Sequence, residues 1–439
     1  MGEPDMLLKR IQLGLIHAAV AMTLVPINST LNRVMIKEMA ISATLVAILA
    51  SLPYLLSPIQ VAIGSFADRH PFRGYRRTPY ILLGLALCVL GVVGSPLVAF
   101  LIGENFWLGI AVGILAFGAW GMGFNFATVS YLSLASEISG EKDRGKTISV
   151  MFFIMILSII VTALGLSRLL EPYSQGMLVR AFWMVGIIAL ALGSAGIIKL
   201  ENRSKTELAL SSDRYSWKVL YGAIAANKQA RLFFVYLVIL LAAILGQDIL
   251  LEPFGGEAFN LSVVATTRIT SIWGGCFLVA LLVAGALERR VNKRSVAKWG
   301  GIAALFGFIL ISSSPLSGSK EHFYTGVVFL GIGTGLSTVG NLSLMLEMIN
   351  PGQVGLFMGA WGMANAFSRM IGSVLSGAVR DVVTQTTQNA VMGYVVVFGI
   401  EALMLLISLV LLRRINVGEF RQSAQSYPLV ERAALVNEA

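Results

Sequence analysis

The residues that could do chemistry are polar side chains set inside long apolar segments. They fall in three segments: His17, Asn28, Asn32 and Arg33; then Gln247, Asp248 and Glu252; and finally Asn365 and Arg369. Burying such groups in hydrocarbon is costly. We therefore treat them as candidates for substrate binding, ion pairing or proton transfer.

Their spacing predicts shared helix faces. At about 100° per residue, His17, Asn28 and Asn32 fall on one face with Arg33 beside them, and the pairs Asp248/Glu252 and Asn365/Arg369 are each four residues apart. A pair between Arg33 and Glu252 or Asp248 fits this placement. Such a pair could fix helix packing, or its members could contact a substrate.

The composition is that of a membrane protein. Of the 439 residues, 56% are hydrophobic and only 13% are charged, against about 25% charged residues in soluble proteins. This excludes soluble, collagen-like and disordered classes. The two cysteines and three histidines lack ligand spacing, and we expect no metal centre, no catalytic residues and no enzymatic activity. The net charge of +10 concerns membrane orientation rather than nucleic acid, which is not an expected partner.

About 20 apolar residues are needed to cross a bilayer, and twelve segments meet this requirement. The predicted spans are 10–35, 41–66, 78–101, 106–136, 147–170, 177–199, 231–255, 263–287, 297–315, 322–348, 354–380 and 388–412. The fold class expected is an all-α membrane protein in the lipid bilayer.

The loops predict the domains and the orientation. We expect an N-terminal six-helix bundle over 1–200, a cytoplasmic linker over 201–230 with an amphipathic stretch at 217–226, a C-terminal bundle over 231–413 and a polar cytoplasmic tail over 414–439. With both termini cytoplasmic, most of the 33 basic residues lie on the cytoplasmic side, as the positive-inside rule requires.

The two halves repeat. At an offset of 210 residues, identical residues recur: Gly121, Gly123, Leu132, Ser133, Leu134, Glu137 and Gly145 fall on Gly331, Gly333, Leu342, Ser343, Leu344, Glu347 and Gly355. Equivalent loops also fall on the same side of the membrane. The repeat is therefore parallel, as in the halves of major facilitator proteins.

Four further features need interpretation. The loop after the second span contains Gly64, Asp68, Arg69, Arg73, Arg76 and Arg77. It resembles the loop signature of the major facilitator superfamily, which implies a conformational role. Gly140 to Thr147 matches the phosphate-loop pattern, but a membrane helix precedes it instead of a strand, so we do not expect nucleotide binding. Glu137 and Glu347, at equivalent helix ends, are candidates for a structural cap or a pair between the halves. Glu401 is an isolated acid whose role stays open.

Three strings carry a more specific resemblance: Leu31 to Ile36, Phe72 to Tyr80, and Gln247 to Gly256, which reads QDILLEPFGG. Together they resemble the bacteriochlorophyll delivery branch of the major facilitator superfamily, the PucC/LhaA-like group. The resemblance extends over the twelve predicted spans.

The resemblance implies a membrane assembly factor that binds or delivers chlorophyll or bacteriochlorophyll, held as cargo, to light-harvesting or photosystem polypeptides. Pigment-synthesis enzymes are further expected partners, and the expected location is a thylakoid, intracytoplasmic or inner membrane. In such a protein His17 could ligate the magnesium of a chlorophyll, although a packing histidine is the simpler interpretation.

Two other functions stay open. A proton-coupled transporter of a small solute would use Asp248 or Glu252 as proton carrier and Arg33 as its partner. A pigment-free scaffold would bind antenna polypeptides through its outer helix faces.

Overall fold

The computed structural model describes residues 3–203, 228–287, 290–348, 354–416 and 418–419. These residues are almost entirely helical, which confirms the predicted all-α class. The predicted amphipathic stretch of the linker and most of the tail lie outside the described residues.

Fifteen α-helices follow one another in the described chain. Those of the first half are α1 (Glu3–Met22), α2 (Ala43–Ala50), α3 (Leu52–Leu55), α4 (Gln60–Arg69), α5 (Thr78–Glu104), α6 (Phe106–Gly140), α7 (Gly145–Leu169) and α8 (Gln175–Ile197). Those of the second half are α9 (Lys228–Gly246), α10 (Leu251–Phe259), α11 (Val263–Leu287), α12 (Lys293–Ser317), α13 (Lys320–Met348), α14 (Val354–Thr387) and α15 (Ala390–Leu412).

Ten helices in the described residues are long and apolar enough to cross a membrane, two fewer than predicted. The predicted span 41–66 is instead divided among α2, α3, a 3₁₀ turn and α4. Pro53 and Pro58 stand at the starts of two of these pieces, where a missing N–H costs no helical hydrogen bond. The predicted span 354–380 lies in α14, which is not among the ten.

The chain forms two compact units. Unit 1 contains the described residues of Met1–Glu207 together with Asp248–Leu278 and Ser373–Tyr394. Unit 2 contains the described residues of Leu208–Gln247, Val279–Gly372 and Val395–Ala439. Unit 1 therefore combines the first six predicted spans with short segments from the second half of the sequence.

The glycine contacts repeat between the halves. In unit 1 a Cβ on Gly84 would lie 2.5 Å from the nitrogen of Ala127, and in unit 2 a Cβ on Gly300 would lie 2.5 Å from the nitrogen of Ser337. Ala127 and Ser337 are separated by the same 210 residues as the sequence repeat. Both units thus pack a pair of helices, α5 with α6 and α12 with α13, through small residues at matching positions.

Candidate functional site

The first membrane helix changes its winding where its polar residues lie. After α1, residues Pro26–Leu31 and Val34–Glu38 form two π-helical stretches, the first beginning at a proline. Short π-helical turns inside α-helices are frequent at functional sites. Because these wider turns interrupt the 100° spacing, the predicted single face from His17 to Asn32 does not extend through this segment.

The seventh predicted span is also irregular. α9 ends at Gly246, a 3₁₀ turn covers Gln247–Ile249, and α10 begins at Leu251. Broken helices in membrane transporters expose helix ends that bind ions or substrates. The QDILLEPFGG string therefore forms the break and most of α10.

Glu252 is the centre of a buried polar cluster in unit 1. It is 3% exposed, and its Oε1 accepts hydrogen bonds from Ser29 Oγ and Thr270 Oγ1, both at 2.5 Å. The hydroxyls of Thr30 and Thr267 lie 3.1 Å apart. We call these five residues the Glu252 cluster. It joins the first π-helical stretch to α10 and α11.

The two oxygens of the Glu252 carboxylate differ in their hydrogen-bond partners. Glu252 Oε2 is buried and has no hydrogen-bond partner in the described part of the chain. No ion pair to Glu252 occurs there either. A buried carboxylate without a cation is costly. The cluster can therefore accept a hydrogen-bond donor, a proton or another positive charge.

The predicted pair between Arg33 and Glu252 is not formed. Arg33, which is 2% exposed, instead makes an ion pair with Glu38 and donates to the carbonyl oxygen of Leu261 at 2.9 Å. Glu38 is the last residue of the π-helical stretch that begins directly after Arg33. The π-helical winding of this stretch brings the two side chains together.

The C-terminal end of α10 is held by two cations of the first helix. Lys37 donates to the carbonyl of Gly256, and Arg33 donates to that of Leu261. Asn260 ends α10 in the left-handed conformation, with φ at 50°. Carbonyls at a helix C-terminus lack intrahelical donors, so cations there are favourable.

The remaining residues of the first predicted segment make contacts other than those of this cluster. Asn32 is buried and donates to the carbonyl of Asn28 at 3.1 Å. His17 lies between the rings of Tyr131 and Phe152, with centroids 4.9 and 5.1 Å away. Its Nδ1 is buried without a partner in the described residues.

The other predicted residues divide between the units. Asp248 belongs to unit 1, whereas Gln247, Asn365 and Arg369 belong to unit 2. Gln247 is buried in the 3₁₀ turn. Asn365 donates to the carbonyl of Trp361, one turn earlier in α14, at 2.9 Å.

The loop motif extends from α4 to the residue that precedes α5. Gly64, Asp68 and Arg69 lie in α4, and Arg73 turns the chain with φ at 54°. Glu201 then accepts hydrogen bonds from the backbone nitrogens of Arg76, Arg77 and Thr78 at 2.7, 3.0 and 2.7 Å. The carboxylate thereby caps the N-terminus of α5.

The two repeated glutamates lie in equivalent surroundings. Glu137 accepts from Arg77 Nε and Nη2 at 3.0 and 2.8 Å in unit 1. In unit 2, Glu347 lies 3.7 Å from Lys293. Each thus contacts a basic residue at the start of a helix of its own unit.

The segment that matches the phosphate-loop pattern is a sharp bend between α6 and α7. Gly140 makes this bend with φ at 61° and ψ at −178°. Thr147 is buried and accepts hydrogen bonds from Ser139 and Arg10 at 2.7 and 3.2 Å. This hydroxyl is used to join α7 to α6 and α1.

Sequence reasoning missed several contributors: Ser29, Thr30, Lys37, Glu38, Gly256, Thr267 and Thr270. Hydroxyl residues at helical spacing in the start of α11 were a usable signal. Among the described residues, no group of three or more His, Cys, Asp or Glu is placed to hold a metal ion.

Fold and site together define an integral membrane protein with the major facilitator fold. The structure aligns with a bacterial homologue of the human lysosomal transporter Spinster, at a TM-score of 0.73 and 12% identity, over 96% of this chain and 99% of that one.

The chain belongs to the PUCC protein family, which matches residues 30–420. It is 30% identical to Protein PucC of Cereibacter sphaeroides, over 92% of this chain and 91% of that protein. It is 25% identical to the bacteriochlorophyll synthase 44.5 kDa chain of Rhodobacter capsulatus, over 90% of this chain and 92% of that protein.

Proposed function

We propose that this protein is a membrane assembly factor that binds chlorophyll or bacteriochlorophyll and delivers it to light-harvesting or photosystem polypeptides. The observation that carries the proposal is the family match, which covers residues 30–420 and includes the distinctive strings around Arg33 and Glu252. The name of the Rhodobacter capsulatus relative supports a connection with bacteriochlorophyll.

The site is compatible with this cargo. A chlorophyll is mostly apolar and needs only a few polar anchors, which is the usual design of a small-molecule site. The Glu252 cluster offers such anchors on helix segments that are rich in apolar residues. We infer that the pigment enters laterally from the lipid.

The proposal is tested by deleting the gene in a phototrophic host and restoring it as parent or variant. We expect the deletion strain to lose assembled antenna complexes, the parent to restore them, and Glu252→Gln to restore them only weakly. Glu257→Gln is the matched control, because it makes the same change on the same helix. Normal antenna levels in the deletion strain would contradict the proposal.

A second candidate function is proton-coupled transport of a small solute. It is favoured by the unpartnered Oε2 of Glu252 and by the absence of an ion pair to this carboxylate in the described residues. A buried acid in a membrane protein is a standard proton carrier. We infer that, in this case, Glu252 would bind one proton per cycle.

Reconstituted vesicles containing a pH-sensitive dye separate the two functions. Transport predicts solute-dependent proton movement that Glu252→Gln abolishes while antenna assembly stays normal. Pigment delivery predicts no solute-dependent proton movement, and it predicts that Glu252→Gln impairs antenna assembly. A pigment-free scaffold predicts that cluster substitutions leave both activities unchanged, while substitutions on outer helix faces impair assembly.

A further inference from the structure

Asp381, near the C-terminal end of α14, is bound to the first turn of α2. Its carboxylate accepts hydrogen bonds from the hydroxyls of Ser42 and Thr44, both at 2.7 Å. The backbone nitrogens of Ala43 and Thr44 donate to it at 3.1 and 2.8 Å. One side chain therefore satisfies four donors of a segment more than 300 residues away.

The geometry favours this contact in two ways. The N-terminus of a helix carries partial positive charge and unpaired N–H groups, so a carboxylate there is stabilising. In addition, α14 has a glycine at its closest approach to α2. A Cβ on Gly377 would lie 2.8 Å from the carbonyl oxygen of Ala43.

A set of contacts connects Asp381 to α10, the helix that carries Glu252. Arg380 donates to Asp381 at 3.0 Å and lies over the ring of Tyr394, 4.9 Å from its centroid. Tyr394 in turn packs against Phe254 at 5.7 Å. Phe254 lies on α10 two residues from Glu252, and the rings of Phe254 and Tyr394 are both fully buried.

We propose that Asp381 and the start of α2, residues Ser42 to Thr44, form a latch that keeps the Glu252 cluster closed towards the membrane face where α2 begins. Opening the latch separates α2 from α14 and gives a ligand access to the cluster from that face. The latch consists mainly of hydrogen bonds, which can break without exposing a large apolar surface. The inference is independent of whether the ligand is a pigment or a proton.

Thiol accessibility tests the latch on the full-length protein in mild detergent. Thr30→Cys reports on the cluster, since Thr30 is fully buried. Cys276 is replaced by alanine, whereas Cys88, buried between α5 and α6, stays as an internal reporter of unfolding. The probe is a water-soluble maleimide, and each site is quantified by peptide mass spectrometry.

We expect Asp381→Asn to raise the labelling rate at Thr30→Cys by about tenfold or more. This is the change in the population of the open state that loss of one charge-assisted hydrogen bond would produce. Cys88 should stay unlabelled. Glu321→Gln is the matched control: it makes an equivalent carboxylate-to-amide change on an exposed acid in unit 2 and should leave the rate unchanged. An unchanged rate in Asp381→Asn, or a parallel rise at Cys88, would overturn the latch.

A second variant tests the contact without altering a charge. Gly377→Ala should push α14 away from Ala43 and raise labelling at Thr30→Cys in the same way. Gly285→Ala, where a Cβ meets nothing within 4 Å, is its control. If Gly377→Ala labels no faster than Gly285→Ala, close packing of α14 on α2 does not control access and the proposal fails.

Discussion

Arg33 donates a hydrogen bond to the carbonyl oxygen of Leu261 at 2.9 Å, just beyond the end of α10. Lys37 makes the equivalent contact with Gly256. A Cβ on Gly256 would also lie 3.2 Å from Arg33 Nη2, so two of the three distinctive strings of the sequence, one containing Arg33 and one ending at Gly256, meet in space. The contacts of Arg33 and Lys37 hold the end of α10, the helix that carries Glu252, against the first helix.

Adding a single methyl group at Gly256 should destabilise the protein. A Cβ there would lie 2.8 Å from Lys37 Cδ and 3.2 Å from Arg33 Nη2. We expect Gly256→Ala to displace both cations and destabilise the protein by about 1–3 kcal/mol, as for other overpacked sites. The measurement is the midpoint of thermal unfolding in detergent.

The control for this change is Gly275→Ala on α11, where a Cβ meets nothing within 4 Å. It should unfold within about 0.5 kcal/mol of the parent, as expected for unconstrained sites. If Gly256→Ala is equally mild, the two cations do not require the close approach that the glycine permits.

Ser29 and Glu252 should be energetically coupled, because they share a hydrogen bond. A double-mutant cycle with Ser29→Ala and Glu252→Gln is expected to give a coupling of about 0.5–3 kcal/mol, since the two residues share a buried hydrogen bond. The readout is the free energy of unfolding of the four proteins. A cycle with Thr30→Val in place of Ser29→Ala should give a smaller value, because Thr30 pairs with Thr267. Equal couplings would refute a direct Ser29–Glu252 contribution.

Glu201 should stabilise the start of α5. Glu201→Gln keeps the size of the side chain but weakens the cap on Arg76, Arg77 and Thr78, and should cost about 1 kcal/mol. The exposed Glu104 near the other end of α5 provides the control, because Glu104→Gln removes no cap. Thermal unfolding that is the same for both variants would contradict the capping role.

The sequence predicted most of the membrane helices well because their hydrophobic runs are long. For example, the predicted span 263–287 coincides with α11, and 78–101 lies within α5. The span 41–66 was predicted less well because hydropathy does not register the breaks that precede Pro53 and Pro58. The repeat was predictable because its glycines occupy fixed positions in helix pairs.

The site was only partly predictable. Burial of Arg33 and Glu252 follows from their apolar surroundings, but their partners do not. Regular helix spacing does not describe π-helical turns, so the Arg33–Glu38 pair could not be inferred. The contact between Asp381 and Thr44 depends on tertiary packing between segments far apart in the sequence, for which local spacing gives no signal.

The most direct test of the central claim is an absorption spectrum with pigment extraction on the tagged protein, purified in mild detergent from a phototrophic host. We predict stoichiometric chlorophyll or bacteriochlorophyll with the parent, and a clear reduction in the Arg33→Ala, Glu252→Ala double variant. A colourless parent protein from pigment-containing membranes, even one that retains antenna subunits, would contradict pigment binding.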